Sequence, residues 1–78
     1  PQSAAYQTAL KHFRESTRLQ PDDPLGHYNL AVLYERGMEK SKALEEYRRT
    51  QRYLRTQSAF RMRVNKRIQN LELELRNQ

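Results

Sequence analysis

Apolar residues in the first part of the chain recur at steps of three and four, with polar residues between them. Tyr6, Ala9, Leu10 and Phe13 therefore share one face of a helix predicted from about Ser3 to Leu19. Pro21 ends it, because proline cannot continue the hydrogen-bond ladder and disfavours helical backbone at Gln20 before it. Asp23 and Pro24 then predict a new start: a carboxylate to cap free N–H groups, and a proline where its missing donor costs nothing. This second helix is predicted to run to Arg36. Its apolar residues, Leu25, Tyr28, Leu30, Ala31, Val32, Leu33 and Tyr34, cover much of the circumference, which implies packing on more than one side. Gly37 is expected to terminate it in the left-handed region, and Glu39 to sit at the positive end of the next helix.

Ala43, Leu44, Tyr47 and Leu54 give the third helix its stripe, interrupted by Thr50 and Gln51. Thr56, Gln57 and Ser58 follow without a Gly or Pro, so residues 39–77 can be read as one long helix or as two. A continuing stripe would land on Gln57 or Ser58 and then Arg61, whereas the apolar residues resume at Phe60, Val64, Ile68, Leu71 and Leu75. That slip of register favours a turn near 56–58 and a fourth helix from about Ser58 to Arg76.

Shifted by 34 residues, the chain matches itself: Ala9, Leu10, Phe13, Arg14 and Arg18 fall on Ala43, Leu44, Tyr47, Arg48 and Arg52. This period belongs to stacked helix pairs that bind other proteins. With Ala9, Phe13, Ser16 and Pro21 in one unit and Leu30, Ala31, Tyr34, Ala43 and Tyr47 in the next, the chain resembles the tetratricopeptide repeat family over about residues 5–57. The resemblance implies an all-α, antiparallel helix-turn-helix fold of about four helices in one domain. Residues 1–23 would supply the second helix of a partial repeat, 24–57 a full repeat, and 58–78 a C-terminal capping or pairing helix. The sequence departs from the family at His27, where a Trp is usual, at Thr50, where an alanine is usual, and at Gly37, one residue earlier than the usual turn glycine. Arg55 stands where Pro21 stood in the earlier unit.

The resemblance also implies a concave groove for an extended or helical partner segment, with Tyr28, Asn29, Val32 and Arg36 facing it from the second helix. Met62, Arg63 and Lys66 would join them from the fourth. Asn29 and Arg63 match two members of the carboxylate clamp by which some relatives hold chaperone C-termini, but Ala59 stands where that clamp has a lysine, and no chaperone clamp is expected.

Composition narrows the classes. Seventy-eight residues, 36% of them hydrophobic, allow one domain with a small core. The longest apolar run, Leu30 to Tyr34, is far short of the roughly 20 residues a membrane span needs. Without cysteine there is no disulfide framework, which is compatible with the cytoplasm and with the periplasm; a start at Pro1 with no leader reads as a processed or excised piece, so the compartment stays open. The net charge of +6 comes from one window: Arg48, Arg49, Arg52, Arg55, Arg61, Arg63, Lys66 and Arg67 are uninterrupted by any acid. Such a field favours anionic partners.

Candidate chemistry is sparse. His12 and His27 lie on different helices with no cysteine or acidic cluster at ligand spacing, so no metal is expected. Ser3, Ser16, Ser41 and Ser58 lack a nearby His and acid, Asp22 and Asp23 read as a turn and cap, and Gly26 and Gly37 cannot make a phosphate loop. Of the five tyrosines, Tyr6, Tyr34 and Tyr47 belong to core stripes, leaving Tyr28 and Tyr53 as stacking surfaces. The expectation is a non-catalytic protein-interaction or scaffold module with no cofactor, whose partner segment, acidic by charge, lies in the groove. The alternative is an electrostatic binder of nucleic acid or another anionic surface through Arg48, Arg49, Arg52, Arg55, Arg61 and Arg67. Self-association is also expected, through a partly bare face of Tyr6, Leu10 and Phe13 and through the stripe of Phe60, Val64, Ile68, Leu71 and Leu75.

Overall fold

Three of the four helices begin at a side chain that satisfies a free N–H group. Ser3 Oγ accepts from the Tyr6 amide at 3.1 Å, Asp23 Oδ1 from the Leu25 amide at 3.0 Å and Ser58 Oγ from the Arg61 amide at 3.4 Å. The computed structural model describes residues 3–55 and 58–78, and its helices are α1 (Ala4–Leu19), α2 (Pro24–Arg36), α3 (Lys40–Tyr53) and α4 (Ala59–Arg76). No strand occurs among the described residues, so the fold is all-α and helical-repeat-like. Glu39 precedes α3 but makes no side-chain capping bond; only its carbonyl engages the helix, accepting from the Ala43 amide at 2.9 Å.

The segment 39–77 holds two helices. Leu54 leaves helical geometry with ψ at 128°, and α4 restarts at Ala59 under the Ser58 cap. Of the turn expected near 56–58, residues 56 and 57 lie outside the described residues.

Gly37 is not the left-handed residue. Its φ is −87°, and the left-handed position is taken by Met38 at φ 63°. Gly37 is required for a different reason: a Cβ there would collide with the Tyr6 hydroxyl and lie 2.5 Å from Tyr6 Cζ, so the ring of α1 closes directly on the backbone of the α2–α3 turn.

α2 packs on both α1 and α3, and α3 packs on α4, giving a slab of 35 × 33 × 16 Å. Ala31 and Ala43, both fully buried, keep side-chain bulk out of the space between α2 and α3, and Tyr47 and Thr50 fill what remains. Thr50 donates its hydroxyl to the Glu46 carbonyl at 2.9 Å, which removes the cost of burying it. Tyr34 joins three helices: its hydroxyl accepts from Arg14 Nε at 3.1 Å, and the Arg14 and Lys42 cations lie 6.0 and 5.8 Å from its ring centre.

The two stripes assigned to self-association are spent inside the chain. Val64, Ile68 and Leu71 are buried, Phe60 and Leu75 are half-buried against the same core, and Tyr6 and Leu10 are buried, with Phe13 half-buried. An amphipathic stripe announces that something covers it; here neighbouring helices of the same chain do so. The exposed large apolar residues are instead Leu19, Leu25, Met38, Met62 and Leu73.

Candidate functional site

α2 carries two kinds of face. Toward α1 and α3 it presents His27, Leu30, Ala31 and Tyr34, all buried. On the other side Tyr28, Asn29, Val32, Leu33 and Arg36, with Phe13 from α1, line a cleft of about 270 Å³. Tyr28 and Val32 are half-buried, whereas Asn29 and Arg36 are exposed, so apolar surface forms the floor and polar groups form the edge. All four residues assigned to the groove on α2 are therefore brought together. Phe13 and Leu33 also line it without having been assigned to it. In the sequence Phe13 marks only the α1 stripe, and a stripe does not tell which end of its arc faces a neighbouring cleft.

Two contacts bring α4 alongside. Phe60 meets the Tyr28 ring edge-to-face at 4.9 Å between centres, and two turns further along both helices Arg67 pairs with Glu35 through both carboxylate oxygens. Because both contacts advance in the same direction, α2 and α4 run parallel. Tyr47 donates its hydroxyl to the same Glu35 at 2.7 Å, so one carboxylate ties α2, α3 and α4 together. The bond to Glu35 holds the Arg67 guanidinium pKa above its ordinary value, while burial and then the Glu35 bond raise that of Tyr47.

Met62, Arg63 and Lys66 do not line the cleft, and all three are exposed. Arg63 nevertheless lies on the flank of α4 beside Phe60 and Arg67, the residues that reach α2, with Lys66 a turn beyond it and farther round the helix. Asn65 and Glu72 mark the opposite flank, bonded to Gln51 and Arg48 of α3.

The basic window is not one patch. Arg48 pairs with Glu72 at 2.6 Å, Arg49 with Glu45 and Glu46, Arg67 with Glu35, and Arg61 donates to the Leu54 carbonyl at 2.6 Å. Every acid on α2, α3 and α4 has such a partner, Glu74 taking Lys40. Arg52 and Arg55 remain exposed beside Leu54, Arg36 at the rim of the cleft, and Arg63 and Lys66 on the outer surface of α4, without an ion pair among the described residues.

His27 is buried rather than at the groove edge. Nε2 donates to the Pro21 carbonyl at 2.6 Å, Nδ1 faces Glu46 Oε1 at 2.8 Å, and the ring stacks on Tyr53. Both ring nitrogens face oxygen and are thereby occupied. This arrangement fastens the α1–α2 turn to α3 and leaves no nitrogen for a ligand. Among the described residues no group of three or more His, Cys, Asp or Glu side chains could hold a metal ion, and no helix is long and apolar enough to cross a membrane. Both tyrosines expected as stacking surfaces are half-buried and already carry ring contacts, Tyr28 with Tyr47 and Phe60 and Tyr53 with His27.

A larger hollow of about 620 Å³ lies along α1, but its lining of Gln7, Leu10, Lys11, Arg14, Glu15 and Arg18 comes from that helix alone. The smaller cleft is the better site because two helices build it around an apolar floor. No family model, curated protein or solved structure matches the chain.

Proposed function

We propose that this protein is a non-catalytic, tetratricopeptide-type interaction module that holds a segment of a partner protein along α2. The observation that carries the reading is the cleft itself: Phe13, Tyr28 and Val32 offer apolar contact, and Asn29 and Arg36 offer hydrogen bonds at its rim. The 34-residue repeat of the sequence supports it, because the position of this cleft on α2 coincides with the groove that the family resemblance implies. Binding combines burial of a partner side chain on the floor with pairing of its polar groups at the edge. Self-association through the stripes of α1 and α4 is no part of this reading, since those residues are occupied in the core.

Selection of a displayed library of random 12-residue peptides tests it. Peptides enriched on the wild-type protein lose binding to Val32→Glu, which places a carboxylate on the floor, and keep binding to Arg52→Glu/Arg55→Glu. The reverse pattern would move the site to the basic segment and favour the electrostatic alternative.

A further inference from the structure

From the way the charges are distributed, we infer that the occupant of the α2 groove is an acidic peptide segment. An apolar side chain seats on Phe13 and Val32, and carboxylates meet Arg36 from α2 and Arg63 and Lys66 from α4. This inference rests on the groove reading and adds the chemistry of the partner to it.

The argument begins with the bases that are already used. Arg48, Arg49 and Arg67 are matched by carboxylates of the same chain, which leaves them little attraction for an outside anion. The positive charge left over is therefore local. Arg36 stands at the rim of the cleft, and Arg63 lies on the flank of α4 beside Phe60 and Arg67, the two residues that reach α2. Lys66 lies one turn beyond Arg63 on the same outer side of α4, and all three side chains are exposed without an ion pair among the described residues. The carboxylates of α2, α3 and α4 are themselves paired, and Glu35, the one acid of α2, is held by Arg67 and Tyr47. An apolar floor with one cation at its rim and two more on the neighbouring helix is complementary to a segment that alternates apolar and acidic side chains.

Nucleic acid fits the same charge less well. Single strands are held by open aromatic faces as well as by cations. Of the rings lining the cleft, Tyr28 already has Tyr47 and Phe60 against it, and both it and Phe13 are half-buried, so they offer a wall for an aliphatic side chain rather than an open platform for successive bases.

The 12-residue peptide library provides the test when the charge of the enriched pool is read. Pools enriched on the wild-type protein should be richer in Asp and Glu than the input. Individual capped peptides from them should bind at least tenfold more weakly when their acids are changed to Gln or Asn. The variant Arg36→Ser/Arg63→Ser/Lys66→Ser, altered only at exposed positions, should lose the acidic enrichment while keeping its helical circular dichroism. A pool that is neutral or basic yet still sensitive to Val32→Glu would overturn the acidic partner and leave the groove reading standing. A pool indifferent to Val32→Glu would overturn both. Displacement of the bound peptides by an equimolar oligothymidylate would also overturn the proposal, assigning the cations to phosphates.

Discussion

Residues related by the 34-residue shift have different fates in the two units. Ala43 is fully buried where Ala9 is half-exposed, and Tyr47 is 2% exposed where Phe13 remains half-buried on the wall of a cleft. Leu10 and Leu44, by contrast, are buried to the same degree. The difference lies in the neighbours rather than in the residues. α3 packs on both α2 and α4, while α1 has only α2. Equivalent side chains thus define equivalent helix faces, but how much of each face is covered depends on what lies on either side. That incomplete cover keeps the groove open: Phe13 lines the cleft because no second neighbour closes over it.

The comparison breaks most visibly at the alanines. Ala43→Glu should unfold the protein, because the carboxylate enters the fully closed contact between α2 and α3 with no partner. Ala9→Glu should cost roughly 1 kcal/mol, since the longer side chain can reach solvent from a half-covered site. Circular dichroism melts of the two variants check this pair. Loss of the cooperative transition in both would mean that α1 is as enclosed as α3.

Tyr47 sharpens the same contrast. Tyr47→Phe removes the bond to Glu35 and should cost about 1.5–3 kcal/mol, the usual range for a hydrogen bond to a charged group. In a domain of this size the melting temperature should fall by about 4–8 °C per kcal/mol. pH provides an independent reading. Burial, then the Glu35 bond, raise the Tyr47 pKa above the ordinary value of 10.0, and burial followed by the Glu39 charge does the same for Tyr6. A raised folded-state value means that the folded protein keeps the phenol protonated more strongly than the unfolded chain does. The associated stability is complete below pH 10 and is lost as pH rises through the folded-state values. Melting temperatures should therefore decline above pH 10, and the decline should be shallower in Tyr47→Phe.

Much of this architecture was legible in the residues, and what was not has identifiable causes. The start of α2 at Pro24 is written locally, by a cap and a proline, whereas at its other end Gly37 marks the place but Met38 makes the left-handed turn. The break before α4 was legible because a stripe that resumes out of register cannot continue the same helix. The partners of charged side chains were not. Arg67 finds Glu35 and Arg48 finds Glu72 across folded distance, so eight consecutive bases without an acid read as one patch until α4 is laid against α2 and α3. His27 with Glu46 was hidden for the same reason, as neither residue has a local pattern that points to the other. The groove lay between these cases. Its α2 residues followed from the resemblance, whereas Phe13 required knowing where α1 crosses.

The smallest effect belongs to Tyr6, the aromatic residue by which α1 is anchored. Its ring lies on the Gly37 backbone, close enough that no side chain fits there, yet its hydroxyl is buried with no hydrogen-bond partner among the described residues. Desolvation of that hydroxyl opposes folding, whereas the ring contributes contact and area. Tyr6→Phe keeps the ring and removes the unsatisfied group, so stability should be unchanged or higher by up to about 1 kcal/mol. The same substitution at Tyr47 should be destabilising. Opposite signs for one chemical change, measured by urea unfolding under identical conditions, would separate a satisfied contact at α3 from an unsatisfied one at α1. A loss of more than about 1 kcal/mol in Tyr6→Phe would show that the hydroxyl is partnered in solution, and that α1 is held against the α2–α3 turn by a polar bond as well as by packing.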